Sequence, residues 1–447
     1  MRALNDAMHN FKLSRPCLLF TCLLTVLLIS FLYLSSPSID SEIHNAPLIL
    51  TTDSEDGNQV PAKFLQSFEP LDSNVSYCEY NFNFPRDLDF ADGDLNFGAE
   101  QGKEGPYRIL YNVVAAKIAP DTPAITYATH VTADFMNYIP ELVRYWDGLI
   151  SIAAFVPDLD VALVLRQLNQ YCYCLPGMAR VSLHLVIDKT LPPSRKDVYF
   201  TKPDSCEVED SSQLQTYRNV DEKVMYPINV CRNAARTAAL TEHVLVSDIQ
   251  LMPSGNLARS FLEMIDQYKL ADCQNRVFVL PIFEVEEGQE IPRTKERLQE
   301  LIGQEKAVYF HRHICSHCQR FPGIEAWLVS DPGDTVKPLA TVRREVPYHR
   351  WEPIYIGTKN EPLYNELLSW EGLQDKMLQM LEMCLIGYKF VILDGAYLVH
   401  WPGMKKTKTK DEEPWRIPFI KKNSEEYKKY LTSLIERYAP KRQCKIQ

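Results

Sequence analysis

From Ala124 onward, short apolar runs alternate with segments of helical period, and that alternation restricts the fold more than any other feature of the chain. Ile125–Thr129, Ile150–Phe155, Val181–Ile187, Val244–Val246, Arg276–Leu280 and Phe390–Leu393 read as strands. Asp134–Tyr145, Leu159–Tyr171, Val230–Leu240 and Gly372–Leu385 read as helices. Strands separated by helices build βαβ units, which predicts an α/β fold with a mostly parallel central sheet flanked by helices. The last helix carries Leu373, Met377, Met380, Leu381, Cys384 and Leu385 on one face, so its methionines belong to the core.

The stretch His243–Leu257, HVLVSDIQLMPSGNL, organises the rest. Its strand ends at Ser247-Asp248-Ile249-Gln250, and Pro253-Ser254-Gly255 breaks the chain before a new helix near Asn256. A carboxylate at the C-terminal end of a buried strand faces the crevice where open α/β sheets bind ligands. An acidic motif there suits a hard divalent cation held against a leaving diphosphate. Taken alone, one Asp followed by Gln also fits an ordinary turn with a solvated carboxylate.

Three further places bear on chemistry. Asn229, Arg232, Asn233 and Arg236 recur at steps of three and four, on one helix face. Two guanidiniums there match phosphate or carboxylate oxygens, and a salt-bridged structural face is the equal alternative. His400 ends a run after the turn Asp394-Gly395, where a neutral imidazole would serve as a further metal ligand. Gly403 would let backbone approach a ligand, and Lys405 would reach a phosphate. Glu352 and Asp375 are the candidate general bases, since sugar transfer with inversion needs one carboxylate to take the acceptor's proton. His311–Cys318, HRHICSHC, has zinc-like composition but no second half-site, so a disulfide is the expected fate of Cys315 and Cys318.

The N-terminal part sets the compartment. Cys17–Leu34 is an uncharged apolar run near the length of a membrane span, with Arg2, Lys12 and Arg15 before it and Asp40 and Glu42 after it. The expected layout is a cytoplasmic tail over 1–15, a signal anchor over 16–35, a lumenal stem over 36–122 whose end near Tyr107–Lys117 pairs with the body, and a catalytic body over 123–447. A cleaved signal peptide is the rival reading, with a shorter apolar core. Ten of the twelve cysteines fall after the anchor, which suits an oxidising lumen. Asn74-Val75-Ser76 is an N-glycosylation acceptor triplet there. A formal net charge of −10 argues against a nucleic-acid partner.

Taken in order, YPINVCRNAAR, HVLVSDIQLMPSGNL, RVFVLPIFEV, HICSHCQ, WEPIYIG and GYKFVILDGAYLVHWPGMK resemble the β-1,4-glucuronyltransferases and the glucuronyltransferase domain of the LARGE enzymes. The resemblance runs over roughly 124–405 and implies a GT-A type nucleotide-sugar transferase fold. It implies an inverting, Mn²⁺-dependent Golgi type II membrane enzyme that moves glucuronate from UDP-glucuronate to a xylose-terminated glycan of dystroglycan type. By position it makes Asp248, Gln250 and His400 the metal set, with Gln250 standing where the family has a second Asp. Arg232 or Arg236 would hold a phosphate or the glucuronate carboxylate, beside Asn229 and Lys405. The expected partners are the nucleotide sugar, a glycan on a glycoprotein, the membrane, and other Golgi glycosyltransferases in a complex. The alternatives are a β-1,3-N-acetylglucosaminyltransferase on the same fold, or a lumenal glycan-binding protein with little catalysis.

Overall fold

The computed structural model describes residues 64, 67, 68, 70, 74–195, 198–207, 214–216, 224–270, 274–331, 333, 335–404 and 414–444. The anchor expected over Cys17–Leu34 lies outside them. Among the described residues no helix is long and apolar enough to cross a membrane.

In chain order the strands are β1 (Glu79–Tyr80), β2 (Leu95–Phe97), β3 (Tyr107–Ala115), β4 (Ile125–Val131), β5 (Leu149–Phe155), β6 (Val181–Asp188), β7 (His243–Val246) and β8 (Leu251–Pro253). They continue with β9 (Arg276–Leu280), β10 (Ile282–Val285), β11 (Ala307–Tyr309), β12 (Lys337–Val342), β13 (Ile354–Gly357), β14 (Lys389–Asp394) and β15 (Leu398–His400). The helices are α1 (Tyr138–Tyr145), α2 (Asp160–Cys174), α3 (Ile228–Ala238), α4 (Leu257–Gln267), α5 (Lys295–Gly303), α6 (Ile324–Val329), α7 (Met377–Ile386) and α8 (Ile417–Arg437).

The main sheet runs β1-β3-β6-β5-β4-β7-β13-β9-β14-β12, with β2 also on β3. Its centre, β6-β5-β4-β7, is parallel, as is the β9–β14 pair. β4 and β5 are buried along their whole length, as expected of parallel strands covered on both faces. β13 runs antiparallel between β7 and β9, and β3 and β12 add antiparallel flanks. The sheet is therefore mixed rather than mostly parallel. A second sheet, β11-β10-β15-β8, stands beside it and carries the far side of the candidate site.

The segment assigned to a stem contributes to this body. β3 pairs with β6 from Tyr107↔Asp188 to Val114↔Leu183, and β1 and β2 pair with β3 in turn. Ile109, Leu110, Val113 and Val114 lie in the core. The disulfide Cys78–Cys172 ties β1's approach to α2, and Cys174–Cys206 ties the end of α2 to the following loop. No fold boundary falls at residue 122.

Candidate active site

Asp248 sits in the turn between β7 and β8. The Leu251 amide closes this turn on the Asp248 carbonyl at 3.0 Å. The Tyr127 hydroxyl, inside β4, lies within hydrogen-bonding reach of the carbonyls of Leu251 at 2.7 Å and Asp248 at 3.1 Å, which ties the turn to β4. The Asp248 side chain is 33% exposed, open on one side and heavily partnered on the other. Oδ1 receives Arg232 Nη2 at 2.9 Å and His130 Nε2 at 3.2 Å, and Oδ2 faces Lys376 Nζ at 3.4 Å. Burial opposes the charged carboxylate, but Lys376, Arg232 and His130 outweigh it and hold the acid well below the usual carboxylate range.

His130 is the penultimate residue of β4 and is buried. Burial lowers its pKa, so the ring is neutral. With Nε2–H donated to Asp248, Nδ1 is left to accept from the Tyr226 hydroxyl 2.6 Å away. That assignment of the tautomer follows from the partners on each side.

Helix α3 packs on β4 and β5 and turns its polar face to the segment 361–376. Arg232, 2% exposed, reaches Asn229 Oδ1 at 3.0 Å and Asp248, and pairs with Asp375 through a very short contact. It bridges two carboxylates rather than offering a free fork. Asn229 donates to the carbonyls of Asn365 and Asp375, at 2.8 and 2.9 Å. Asn233 donates to the Tyr364 carbonyl and to Glu366, and accepts the Tyr364 amide. Arg236 donates to the carbonyls of Pro362 at 3.0 Å and Glu361 at 2.6 Å, and its guanidinium lies 3.6 Å from the Glu361 carboxylate. The phosphate or carboxylate contact expected of Arg236 gives way to a structural one, because these buried carbonyls need donors. Asn229 is engaged in the same way.

The segment that α3 holds ends in Leu373 and Gln374, both with left-handed φ of 59° and 56°. Such conformations cost a non-glycine residue roughly 1–3 kcal/mol each and cluster at functional sites. They stop α7 from starting before Met377 and deliver Asp375 and Lys376 to Asp248. Burial opposes the charge on Asp375, but Arg232 and Lys376 keep it a low-pKa carboxylate. Glu352 differs: burial raises its pKa, with Lys376 pulling the other way. Its backbone is fixed from both sides by the loop closed by the Cys315–Cys318 disulfide. Its amide donates to the Cys318 carbonyl at 2.9 Å, and Gln319 donates to its carbonyl at 2.9 Å.

His400 reaches the site from the second sheet. β15 pairs with β8 so that His400 lies opposite Leu251, and the Trp401 amide donates to the Gln250 carbonyl at 3.1 Å. The imidazole packs on Phe310, with ring centroids 5.1 Å apart. Gln250 lends its amide to the Tyr138 hydroxyl at 3.0 Å. The backbones that carry Asp248, Gln250 and His400 are thus neighbours through one turn and one strand pairing, and a carboxylate, an amide oxygen and an imidazole are ligand types that suit Mn²⁺. Lys405 lies outside the described residues. Among the described residues, the one group of three close His, Cys or acid ligand atoms is Cys315, His317 and Cys318, and its two sulfurs are joined in the disulfide. Asn74 is exposed and accepts from Lys202 at 3.0 Å.

Sequence reasoning missed His130 and Lys376. No signal marked the first, one polar residue beside two threonines in the strand Ile125–Val131. For the second the signal was adjacency to Asp375.

Residues 124–439 match the family described as "Glycosyl-transferase for dystroglycan". β-1,4-glucuronyltransferase 1 of Danio rerio is 27% identical over 411 residues, covering 87% of this chain and 88% of that protein. Its counterpart in Bos taurus is 28% identical over 334 residues, 71% of this chain and 77% of that one. Xylosyl- and glucuronyltransferase LARGE2 of Mus musculus is 23% identical over 290 residues, 63% of this chain and 35% of that protein. A solved structure of GalNAc-T7 with UDP, GalNAc and Mn²⁺ superposes with a TM-score of 0.37 at 8% identity, covering 68% of this chain and 48% of that one, too distant to inform the site. With the family match extending over most of a mixed α/β body and the whole Asp248 centre within it, the chain belongs to the dystroglycan glycosyltransferase family and is a glycosyltransferase.

Proposed function

We propose that the protein is an inverting glucuronyltransferase of GT-A type, taking glucuronate from UDP-glucuronate and placing it on a xylose-terminated glycan of the dystroglycan kind. What supports the reading is that one turn and one strand pairing set the backbones of Asp248, Gln250 and His400 beside one another, in a chain whose relatives are named for glucuronyl transfer. Asp248, Gln250 and His400 would hold Mn²⁺. When bound, the cation neutralises charge developing on the departing diphosphate.

The chain's own groups account for the rest. The acceptor hydroxyl attacks the anomeric carbon from the face opposite UDP, its proton passes to a carboxylate, and the bond to the diphosphate breaks. Glu352 suits this task better than Asp375, because a raised pKa makes a stronger base and Asp375 is committed to Arg232. Arg232 positions Asp248 and Asp375. Lys405 remains a proposed phosphate contact. The protein works as a single-pass type II Golgi membrane enzyme, held by residues 16–35 and glycosylated at Asn74.

The neutral Gln250 favours one rival, a lumenal glycan-binding protein. Turnover separates the two: full-length protein in detergent with Mn²⁺ is offered UDP-glucuronate, UDP-N-acetylglucosamine and UDP-xylose with a panel of acceptors. Glucuronate transfer to a β-xyloside supports the proposal. Transfer from UDP-N-acetylglucosamine moves the protein to the alternative donor, and no transfer from any donor sinks the enzymatic reading.

A further inference from the structure

We propose that Lys376 is a donor-binding residue that serves as the counter-ion of Asp248 in the free enzyme and exchanges that carboxylate for a diphosphate oxygen when the nucleotide arrives. The inference rests on the nucleotide-sugar reading above and extends it to the order in which ligands enter.

The charges around the turn cancel without a cation. Asp248 and Asp375 bring two negative charges, and Arg232 and Lys376 bring two positive ones. The two cations are held differently. Arg232 is locked, bonded to Asn229, Asp375 and Asp248 at 2% exposure. Lys376 has a longer contact, 3.4 Å to Asp248 Oδ2, and a side chain that is 15% exposed. An ammonium on a four-carbon stem can swing, whereas a planar fork shared by two carboxylates cannot.

Its place on the backbone also points to an anion. Lys376 is the N-cap of α7, where the helix dipole disfavours a cation. The backbone leading into it runs through two consecutive left-handed non-glycine residues. A position disfavoured by the dipole and reached through strain is one held for binding. A free divalent ion approaching Asp248 meets the Lys376 ammonium at Oδ2, and Gln250 adds no negative charge to draw it in. A diphosphate supplies that charge. Once Lys376 turns to a phosphate oxygen, Oδ2 is open to the metal. Nucleotide and metal therefore bind together, and the metal alone binds weakly.

Calorimetric titration of the full-length protein in detergent tests this with three probes: Mn²⁺ alone, UDP alone, and UDP with Mn²⁺. Lys376→Met should weaken UDP binding in the presence of Mn²⁺ by about 10–100-fold, the usual loss for one charge-assisted contact. The same variant should bind free Mn²⁺ more tightly than wild type. Lys376→Gln should repeat both shifts from a different side chain, and Lys376→Arg should keep UDP affinity within a few-fold. Opposite movement of the two affinities is a signature that a merely structural lysine cannot give. UDP affinity unchanged in both neutral variants, or both affinities falling together, overturns the inference and leaves glycosyl transfer standing. A wild-type protein that binds no UDP under any condition overturns both.

Discussion

Asp248 is the carboxylate on which the proposed reaction rests, so its neutral isostere is the most informative change. Asp248→Asn should keep the fold, since an amide can still accept from Arg232, and should lower kcat/KM for glucuronate transfer by several kcal/mol of transition-state stabilisation. Wild-type turnover by that variant would place the reaction elsewhere. The two arginines of α3 should part company in the same assay. Arg232→Met leaves Asp375 and Asp248 short of a buried cation, which typically costs about 3–5 kcal/mol of stability, and activity should fall with it. Arg236→Met should cost stability on a similar scale through the orphaned carbonyls of Glu361 and Pro362, while the folded fraction keeps its KM for donor. Denaturant titration alongside kinetics would show it, and a donor KM that rises with Arg236→Met would restore that residue to the binding site. The sequence period correctly put both arginines on one face. It could not say what lies opposite, because the carbonyls that occupy Arg236 are about 125 residues away along the chain. Asp248 was readable because it ends an apolar run. His130 was not, since a lone histidine in a strand carries no pattern until β4 and β7 are paired.

At the scale of elements, the segment from Glu361 to Lys376 is clamped by α3 on one side, by the loop 98–105 on a second and by α8 on a third. The loop's contribution centres on Glu366, which accepts the Ala99 amide at 3.0 Å and the Gln101 amide at 3.4 Å and itself faces Glu100. On the α8 side, Asn423 bonds Ser369 and Leu373 through space that a side chain at Gly372 would fill, with its amide group 2.1–2.6 Å from the site of a Cβ. Behind the clamp lies a cavity of about 500 Å³ lined by Glu100, Glu366, Tyr430 and Arg437, with none of the groups around Asp248 in its wall. Burial, and then the neighbouring Glu366, push the Glu100 carboxyl up from 4.5 to about 7. The folded state thus keeps a proton that the unfolded chain releases near pH 4.5. Stability should fall as pH rises from about 4.5 to 7 and level off above that. Because Glu100 is exposed on one side, solvent screening limits the effect to about 1 kcal/mol. Glu100→Gln should flatten the slope in chemical denaturation between pH 5 and 8, and an unchanged slope would assign the titration to another group. This clamp was illegible in sequence. Trp351-Glu352-Pro353 offered only one candidate acid, with no hint that Ile354–Gly357 inserts antiparallel between β7 and β9.

For the whole molecule, the consequential correction is where the body begins. The parallel centre was legible from Ala124 because fully buried strands leave unbroken apolar runs. β1 and β2 were not, being two and three residues long in a polar, Asp-rich stretch. Yet β3 covers β6, and Cys78–Cys172 closes the region against α2. A secreted fragment beginning at residue 123 should fail to yield soluble monomer, whereas one beginning at residue 60 should unfold in a single cooperative transition. Loss of Cys78–Cys172 in the longer fragment should cost about 2–5 kcal/mol. Cooperative folding of the shorter fragment would return β1–β3 to the stem. The manner in which α3 grips its neighbour also has a bearing on descent. Asn229, Asn233 and Arg236 read mostly the carbonyls of 361–365 and 375, and Asn423 reads those of Ser369 and Leu373, so inheritance must preserve a path more than a spelling. The side chains of Leu367 and Leu373 are exposed on that path and take no part in these hydrogen bonds, so changing them leaves the grip intact.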